Sequence, residues 1–424
     1  MVKKFINNRI DQTSSLLGLD IPYFLKGGFW LFSANLISIV GGIYLSSVFS
    51  RVWPKDVYGQ FSFLTSIVAL LGITSLTGMG EAVFQGSIEN RDGVYKNALK
   101  KVFIVSILGL FILVAGAFYF FLRNNSNLGY SVLAASLAFP FYSLGSLAIA
   151  FIKGKKNFRL SSILTLGSNI FSVIVTAAAL IKFGSLIGVA IASFWSTAIA
   201  NIFVTFKAIK RVRNRRTDER LLKYGVFMSF TNLIWLGLDY ADRFFIPLLL
   251  SFDKNAIYSF AILLPTQIQN FFKMFTTLGQ PKISKIKDSE IKKALIKKGA
   301  ILGALILLIV IAYIISAPYI FKFLYPDYTE SIFPTQLYAL TLLYYPNTLF
   351  GSYLTKKRLI KESVAGTIIY AFFFFGSLLL FIYLWGLIGA VISKIFSRVL
   401  TVAITQFIFF RELRRNTSVQ SSDL

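Results

Sequence analysis

The sequence predicts an all-α membrane protein of about twelve transmembrane helices, arranged in two six-helix lobes. Three observations support this fold class: the composition, the recurrence of long apolar runs, and the alternation of positive charge between those runs. Of the 424 residues, 56% are apolar, only 15% are charged, and 44 are Phe. A soluble globular domain seldom combines so few charged residues with so large an apolar fraction.

Apolar runs long enough to cross a hydrocarbon core of roughly 30 Å, about 20 helical residues each, recur along the chain. Helices are predicted because lipid cannot satisfy free backbone groups, and the runs are too continuous for the short strands of a membrane barrel. The first run is longer than the apolar region of a signal peptide. The predicted spans are 27–50, 59–80, 102–122, 129–152, 163–183, 185–206, 224–249, 256–280, 299–321, 331–354, 364–384 and 386–410.

Positive charge alternates between successive connections. The termini and every second connection hold 34 of the 44 Lys and Arg residues, whereas the other connections hold 6. This is the positive-inside distribution, so we expect both termini to lie in the cytoplasm and the charge-poor connections to face outside. The net charge of +26 is therefore a signal of topology, and we expect no nucleic-acid partner.

The two halves resemble each other at a nearly constant offset. KDVYGQFSFL (55–64) is followed 199 residues later by KNAIYSFAIL, and FGSLIGVAI (183–191) is followed 201 residues later by LWGLIGAVI. Six spans per half, both starting inside, predict parallel repeats of the kind that bind substrate between the halves near the midplane. The predicted organisation is an N-lobe at 1–206, a basic cytoplasmic linker at 207–223, a C-lobe at 224–412 and a cytoplasmic tail at 413–424.

Two connections carry expectations of their own. The linker KAIKRVRNRRTDERLLK (207–223) is typical of an amphipathic helix on the membrane surface, with a regulatory or lipid-specific role as the alternative. The outside segment YPDYTE (325–330) is expected to be a solvated loop, with a contact for an emerging substrate as the alternative.

The composition excludes several chemistries. The chain has no Cys and no His, which excludes disulfides, thiol catalysis, Cys-based metal sites and His–carboxylate relays. No G-x-x-x-x-G-K-[ST] pattern is present, so ATP hydrolysis on this chain is not expected. We expect a transporter rather than an enzyme, with no metal and no cofactor. A coupling ion, H⁺ or Na⁺, remains open; coupled protons would need carboxylates.

Two stretches carry a resemblance to a known family. FSRVWPKDVYGQFSFLTSIVALLGITSLTGMGEAVFQ (49–85) and LDYADRFFIPLLLSFDKNAIYSFAILLP (238–265) resemble the lobe starts of Wzx-type polysaccharide flippases, which act on O-antigen and similar repeat units. These proteins belong to the MATE-like multidrug/oligosaccharidyl-lipid/polysaccharide exporter superfamily. Major facilitator proteins also have 6+6 spans, but their basic Gly-containing loop between spans two and three is not visible in 81–101. The resemblance covers about residues 25–412.

The resemblance implies a MATE-like 6+6 parallel repeat in the cytoplasmic membrane. It implies a secondary transporter that flips a polyprenyl-pyrophosphate-linked oligosaccharide repeat unit by alternating access, for the assembly of a surface polysaccharide such as lipopolysaccharide O-antigen. The implied partners are the lipid bilayer, the lipid-linked oligosaccharide and polysaccharide polymerase machinery.

Ionisable residues inside the predicted spans are the candidate functional residues. Each charge at mid-bilayer costs about 2.5–3.5 kcal/mol, so such residues usually face a cavity or one another. Asp239 and Arg243 share a helical face at i, i+4, and so do Lys394 and Arg398. The candidate cavity cations are Arg243, Lys273, Lys394 and Arg398; the candidates for ion coupling or charge balance are Asp239, Asp242 and Glu81; the candidate polar lining is Asn35, Gln267 and Asn270.

Two interpretations of these charges remain open. In the first, Asp239 and Asp242 neutralise two of the cations within the lobe and brace the spans. In the second, the two surplus cations line a hydrated cavity that receives a pyrophosphate or an acidic sugar. Arg binds phosphate with a bidentate fork and Lys supplies a point charge, so both residue types suit that ligand.

Two other functions compete with a flippase. A cation-coupled drug exporter of the same superfamily would favour an acidic or aromatic cavity for organic cations, whereas the charge balance here is cationic. A non-transporting membrane scaffold would keep its function after Lys394→Ala and Arg398→Ala, provided that folding is normal.

Overall fold

A computed structural model describes residues 29–285, 288–357 and 360–422, and within these ranges the chain is helical without β-strands. The predicted all-α membrane fold is confirmed. The start of the first predicted span, 27–28, and the basic residues before it lie outside the described residues. The described chain forms two compact units. Unit 1 holds the chain up to Trp53 together with Leu64–Leu236, and unit 2 holds Pro54–Phe63 together with the chain from Gly237 onwards. The lobe boundaries drawn from the repeat stay predictions.

Unit 1 consists of the helices of the first half and the start of the second. Its core contains the stacked rings of Tyr95 and Phe151, whose centroids are 4.7 Å apart, and both side chains are fully buried. The helices that contribute to it are α1 (Phe29–Val52), α2 (Lys55–Leu70), α3 (Met79–Ile88), α4 (Gly93–Leu122), α5 (Ser126–Tyr142), α6 (Leu144–Gly154), α7 (Phe158–Phe183), α8 (Leu186–Ile209) and α9 (Glu219–Leu249).

Unit 2 begins with the first residues of α2 and continues with the last part of α9. Its last helix is broken at Gly386, whose φ of 58° lies in the left-handed region that glycine adopts without steric cost. The further elements of this unit are α10 (Phe252–Lys285), α11 (Asp288–Leu324), a 3₁₀ turn (Pro326–Ser331), α12 (Ile332–Ala339), a 3₁₀ turn (Leu340–Tyr344), α13 (Asn347–Lys356) and α14 (Ile360–Ser422).

The described residues contain nine helical segments long and apolar enough to cross a membrane, so the chain is a multi-pass membrane protein. The last of them, Ala365–Glu412, holds two predicted spans on either side of Gly386. The predicted span 256–280 lies within the continuous helix α10. The predicted span 331–354 is divided: it corresponds to α12, a 3₁₀ turn and α13. Pro346, just before α13, has no backbone N–H with which to continue a helix.

The basic linker does not form the predicted amphipathic helix. Residues 212–218, between α8 and α9, have no regular secondary structure. Their backbone bonds to the α3–α4 connection instead: Asp92 Oδ2 accepts a hydrogen bond from the Arg213 N–H at 2.7 Å, and the Gly93 N–H donates to the Arg216 carbonyl at 2.8 Å. The expectation of a surface helix is therefore wrong, because these backbone groups are satisfied by another part of unit 1.

Two segments matched by the internal repeat pack against each other in unit 2. The start of α2 contacts the start of α10 at Gly59, where an added Cβ would collide with the backbone of Phe252. The Asn255 side chain donates to the Gly59 carbonyl at 2.9 Å, and the hydroxyl oxygens of Ser62 and Ser259 are 2.6 Å apart. The small residues Gly59, Ser62 and Ser259 therefore permit a close contact between α2 and α10, which buried hydrogen bonds stabilise.

The segment 325–330 is only partly solvated. Tyr325 and Tyr328 are fully buried, and the rings of both lie against Phe260, with centroid separations of 5.1 and 3.8 Å. The expectation of a solvated loop is wrong for these tyrosines, because their rings complete an aromatic core. Glu330 is exposed and forms an ion pair with Lys55 at 2.5 Å.

Candidate functional site

A buried ion pair joins α9 to α14 in unit 2. Asp242 is fully buried and Lys394 is 5% exposed. The Lys394 ammonium nitrogen lies 3.0 Å from Asp242 Oδ2. A charge pair this deep requires further hydrogen bonds if it is to offset the loss of hydration.

Both members of the pair have such partners. Asp242 accepts hydrogen bonds from the Tyr258 hydroxyl at 2.5 Å and from the Arg243 N–H at 2.8 Å. Lys394 donates to the Leu238 carbonyl at 2.5 Å, and its ammonium lies 4.7 Å from the centre of the Phe374 ring. The pair therefore links α9, α10 and both parts of α14, and it leaves Lys394 almost no exposed surface.

Arg398 lies one turn beyond Lys394 on α14 and has different surroundings. Its guanidinium carbon is 5.0 Å from the centre of the Tyr344 ring, and the residue is half-buried. Within the described residues no carboxylate oxygen lies within 4 Å of this guanidinium. Asp239, Tyr338 and Tyr370 are nevertheless close enough to interact with it electrostatically.

Arg243 on α9 is also half-buried and is only partly satisfied. Its guanidinium lies 4.5 Å from the Tyr240 ring centre and donates to the Asp239 carbonyl at 3.1 Å. The buried Nε–H has no hydrogen-bond partner. In the part of the chain that the structure describes, Arg243 likewise has no carboxylate within ion-pair distance. Two arginines in this unit thus retain donors that a ligand could use.

The other predicted site residues are distributed over both units. Asp239 on α9 is exposed; on α10, Asn270 and Lys273 are exposed and Gln267 is half-buried. Glu81 on α3 and Asn35 on α1 are exposed residues of unit 1, whereas the charge cluster described above consists of residues of unit 2. Contacts seen between predicted candidates include Asp242 with Lys394, Asp242 with the Arg243 N–H, and the Arg243 guanidinium with the Asp239 carbonyl.

Sequence reasoning missed the aromatic partners of the cluster and a buried amide in the same unit. Tyr258 and Tyr344 contact the charged side chains directly, and buried Gln269 donates to Thr341 at 3.1 Å. Tyrosines in an aromatic-rich membrane chain give no distinctive sequence signal. Gln269 could have been noticed, because it lies between Gln267 and Asn270 on another face of the same helix.

A pocket of about 320 Å³ lies farther along the same face of α14. Val402 and Gln406, which line it, follow Arg398 at intervals of four residues, and Leu343 in its lining precedes Tyr344. Most of the remaining lining is apolar, including Phe350. Along α14, Arg398, whose guanidinium keeps N–H donors for a ligand, is therefore followed by a mostly apolar pocket.

Comparisons with known proteins agree with this fold. A family model described as a polysaccharide biosynthesis protein matches residues 24–287. No match was found among curated proteins. An inward-facing multidrug resistance MATE family transporter of the MOP superfamily matches with a TM-score of 0.71 at 13% identity, over 90% of this chain and 96% of that one.

Two further solved structures share the fold. The lipid II flippase MurJ in an inward closed conformation matches with a TM-score of 0.69 at 15% identity, over 92% of this chain and 91% of that one. A MATE protein in complex with MaD5 matches with a TM-score of 0.60 at 12% identity, over 93% and 99% of the two chains. These identities are low, so the likeness establishes the transporter fold and leaves the transported substrate open.

Proposed function

The chain belongs to the polysaccharide biosynthesis protein family, and from this premise we propose that it flips a polyprenyl-pyrophosphate-linked oligosaccharide repeat unit across the cytoplasmic membrane. The family and the fold are those of transporters and flippases rather than of enzymes. The repeat unit would then be used for surface polysaccharide assembly, with polysaccharide polymerase machinery as the next partner. Both termini would lie in the cytoplasm, in accordance with the distribution of Lys and Arg.

The observation that carries the proposal is the pair of half-buried arginines, Arg243 and Arg398. Asp242 neutralises Lys394, whereas neither arginine has a carboxylate within 4 Å in the described residues. Positive charge inside a membrane protein is costly unless an anion or water compensates it. A pyrophosphate supplies that compensation, and the planar guanidinium can bind two of its oxygens at once.

The pocket beyond Arg398 supports a substrate with a lipid tail. We place the pyrophosphate at Arg398 and the first apolar part of the polyprenyl chain in the pocket lined by Val402 and Phe350. An organic cation, by contrast, would meet the positive charge of both arginines. The charge pattern therefore favours the lipid-linked sugar over the substrate of a cation-coupled drug exporter.

Transport would proceed by alternating access and would draw on an ion gradient. For coupling to H⁺ or Na⁺ we favour Asp239 over Asp242. Asp239 is exposed, whereas Asp242 is buried and already accepts hydrogen bonds from Tyr258 and Arg243 in addition to its pairing with Lys394. Replacement of Asp239 by Asn should then reduce transport and its dependence on the gradient together.

Restoration of surface polysaccharide in a flippase-null strain tests the proposed function. The wild-type chain should restore the polysaccharide, and Arg398→Ala at matched expression should lower the rate about tenfold or more, because a hydrogen-bonded charged contact is lost. Arg398→Lys should retain part of the activity. Arg123→Ala is a matched control, because Arg123 also lies over a tyrosine ring, at 5.5 Å from Tyr119, but belongs to unit 1.

Two outcomes would contradict the proposal. Failure of the wild-type chain with several polysaccharide types, combined with a gain in drug resistance, would identify an exporter. Equal restoration of surface polysaccharide by the wild type and by Arg398→Ala would show that Arg398 does not bind the substrate. It would favour a function of the protein that does not need the charge of Arg398.

A further inference from the structure

A second cationic pocket, of about 490 Å³, lies in unit 1. It is formed where the α3–α4 connection, the α6–α7 turn and the end of α8 meet. Its lining contains four cations and no carboxylate among the described residues. These cations are Lys155, Lys210, Arg211 and Arg213.

Asp92 contacts three of the residues that line this pocket. It is fully buried, lies 2.6 Å from the Lys155 ammonium, and accepts the backbone N–H of Arg213 at 2.7 Å. Its own N–H donates to the Asn214 side chain at 3.1 Å. The segment that carries Arg213 and Asn214 is therefore fixed in place before any ligand arrives, and the fixing contact of Arg213 uses its backbone rather than its guanidinium.

The remaining cations of the pocket are not neutralised. Asp92 can balance one positive charge, that of Lys155, whereas Lys210, Arg211 and Arg213 form no ion pair within the described part of the unit. The guanidinium of Arg211 donates to the Lys207 carbonyl at 2.6 Å, which positions it without cancelling its charge. The N-terminus of α7, capped by the lining residue Asn157, adds the positive end of a 26-residue helix dipole.

The rim of this pocket is suited to the membrane surface. α8 is one of the apolar membrane-crossing helices, and Lys210 follows directly after its last residue. The Lys210 ammonium lies 4.3 Å from the ring centre of Phe206, a side chain that is 54% exposed. One turn earlier Lys207 lies 5.2 Å from the ring of Phe203, which is 53% exposed. Aromatic rings that face lipid, with ammonium groups above them, mark the level of the phospholipid headgroups.

We propose that this pocket binds the phosphate of an anionic phospholipid headgroup, in the leaflet that faces this end of α8. The guanidinium groups of Arg211 and Arg213 would hold the phosphate oxygens, with Lys210 at the rim, while the acyl chains stay beside Phe206 and Phe203. The volume accommodates a headgroup, because small-molecule pockets range from about 300 to 1,000 Å³. The site shares no residue with the proposed substrate site, so the proposal does not depend on which substrate the protein transports.

Lipid binding by the purified full-length protein tests this site. Protein in zwitterionic phosphatidylcholine nanodiscs would be titrated with fluorescent phosphatidylglycerol, and retained lipid would be counted by native mass spectrometry. The wild type should retain one phosphatidylglycerol in a saturable manner. The double variant Arg211→Ala, Arg213→Ala should bind it about 25-fold more weakly, at roughly a factor of five for each cation removed.

The matched control is Lys100→Ala, Lys101→Ala, which removes two exposed charges from α4 in the same unit. It should change affinity less than about twofold, and equal weakening in both double variants would overturn the proposal in favour of nonspecific charge attraction. Competition by inorganic pyrophosphate as strong as that by the lipid would overturn the lipid assignment. Unfolding midpoints in phosphatidylcholine alone report folding. If the double arginine variant lowers that midpoint, the single variant Lys210→Gln is tested in its place, and it must weaken phosphatidylglycerol binding for the proposal to stand.

Discussion

At the scale of single residues, Lys394 and Arg398 lie one turn apart on α14 and carry the same charge in different surroundings. Lys394 is enclosed by Asp242, the Leu238 carbonyl and the Phe374 ring. The guanidinium of Arg398 lies over the Tyr344 ring, and its N–H donors remain available to a ligand. A substitution of each residue should therefore produce a different phenotype, with loss of stability at Lys394 and loss of transport at Arg398.

Lys394→Ala should destabilise the protein by about 3–5 kcal/mol, because it leaves the Asp242 carboxylate buried without its counter-charge. The measurement is the thermal unfolding midpoint of purified protein in detergent. The double variant Asp242→Leu, Lys394→Met should recover most of the loss, because it removes both charges and keeps apolar volume. Arg398→Ala should leave the midpoint close to that of the wild type. A midpoint for Lys394→Ala that equals the wild type would show that the pair does not brace the unit.

Local spacing predicted part of this cluster. The i, i+4 interval put Asp239 and Arg243 on one helical face, and the structure shows the Arg243 guanidinium donating to the Asp239 backbone carbonyl rather than pairing with its carboxylate. The apolar context marked Asp242 and Lys394 as candidates. The pairing of Asp242 with Lys394 could not be derived from local spacing. The two residues lie on helices far apart in sequence, and tertiary packing determines which of these helices are neighbours. For the same reason the tyrosine that donates to Asp242 was invisible in the sequence.

At the scale of helices, the contact between α2 and α10 depends on the missing side chain at Gly59. Gly59→Ala should lower stability by about 1–3 kcal/mol, because the new Cβ collides with the backbone of Phe252, which cannot move without shifting α10. Gly116→Ala is the control: it also lies inside a helix, and nothing lies within 4 Å of an added Cβ. The control should be neutral or slightly stabilising, since alanine favours helices. Equal midpoints for the two variants would contradict the close contact.

The ion pair between Lys55 and Glu330 should make this same region sensitive to acid. A hydrogen bond from Lys55 holds the pKa of the Glu330 carboxyl below its usual 4.5. A depressed pKa contributes stability above pH of about 4.5, and this contribution is lost as the pH falls through the lower, folded-state value. Because Glu330 is 56% exposed, the contribution is below about 1 kcal/mol.

The comparison of wild type with Glu330→Gln measures this effect. The difference between their unfolding midpoints should be present at pH 7 and should shrink as the pH falls below about 4.5 towards pH 3. A difference that persists unchanged at pH 3 would assign the effect of the substitution to packing rather than to charge.

The C-terminal ends of helices were predictable where an apolar run was uninterrupted, as in α4, α7 and α8, whereas α4 and α7 begin before the predicted spans. The predictions failed where other contacts compete with the helix. Residues 212–218 bond to the α3–α4 connection through Asp92 and Gly93, and Pro346 interrupts the predicted tenth span. A hydropathy profile shows neither of these interruptions. It reports the length of an apolar run and its tendency to be buried, but not the hydrogen-bond partner of each backbone group.

At the scale of the whole chain, the fold class and the course of most spans followed from composition and charge, whereas orientation in the membrane stays a prediction. The chain has no Cys, so single cysteines can be introduced into an otherwise unreactive background. Lys182→Cys and Lys322→Cys should react with a membrane-impermeant thiol reagent in intact cells. Lys100→Cys should react only after permeabilisation. All three positions are exposed, and the reverse pattern would contradict the assignment of cytoplasmic termini.

The buried pair also has a consequence for biosynthesis. Leu238, one turn before Asp242, and its partner Lys394 are 156 residues apart in the chain. At about 5–20 residues per second, the ribosome needs roughly 8–30 s to synthesise the partner after α9 has left it. During that interval the acids and the arginine of α9 have no counterpart from α14, at an insertion cost of about 2.5–3.5 kcal/mol for each charge at mid-bilayer. We therefore expect α9 to remain beside the insertion machinery, or at the water interface, until the last helix has been synthesised. We expect nascent chains to be most readily lost to proteolysis during this wait.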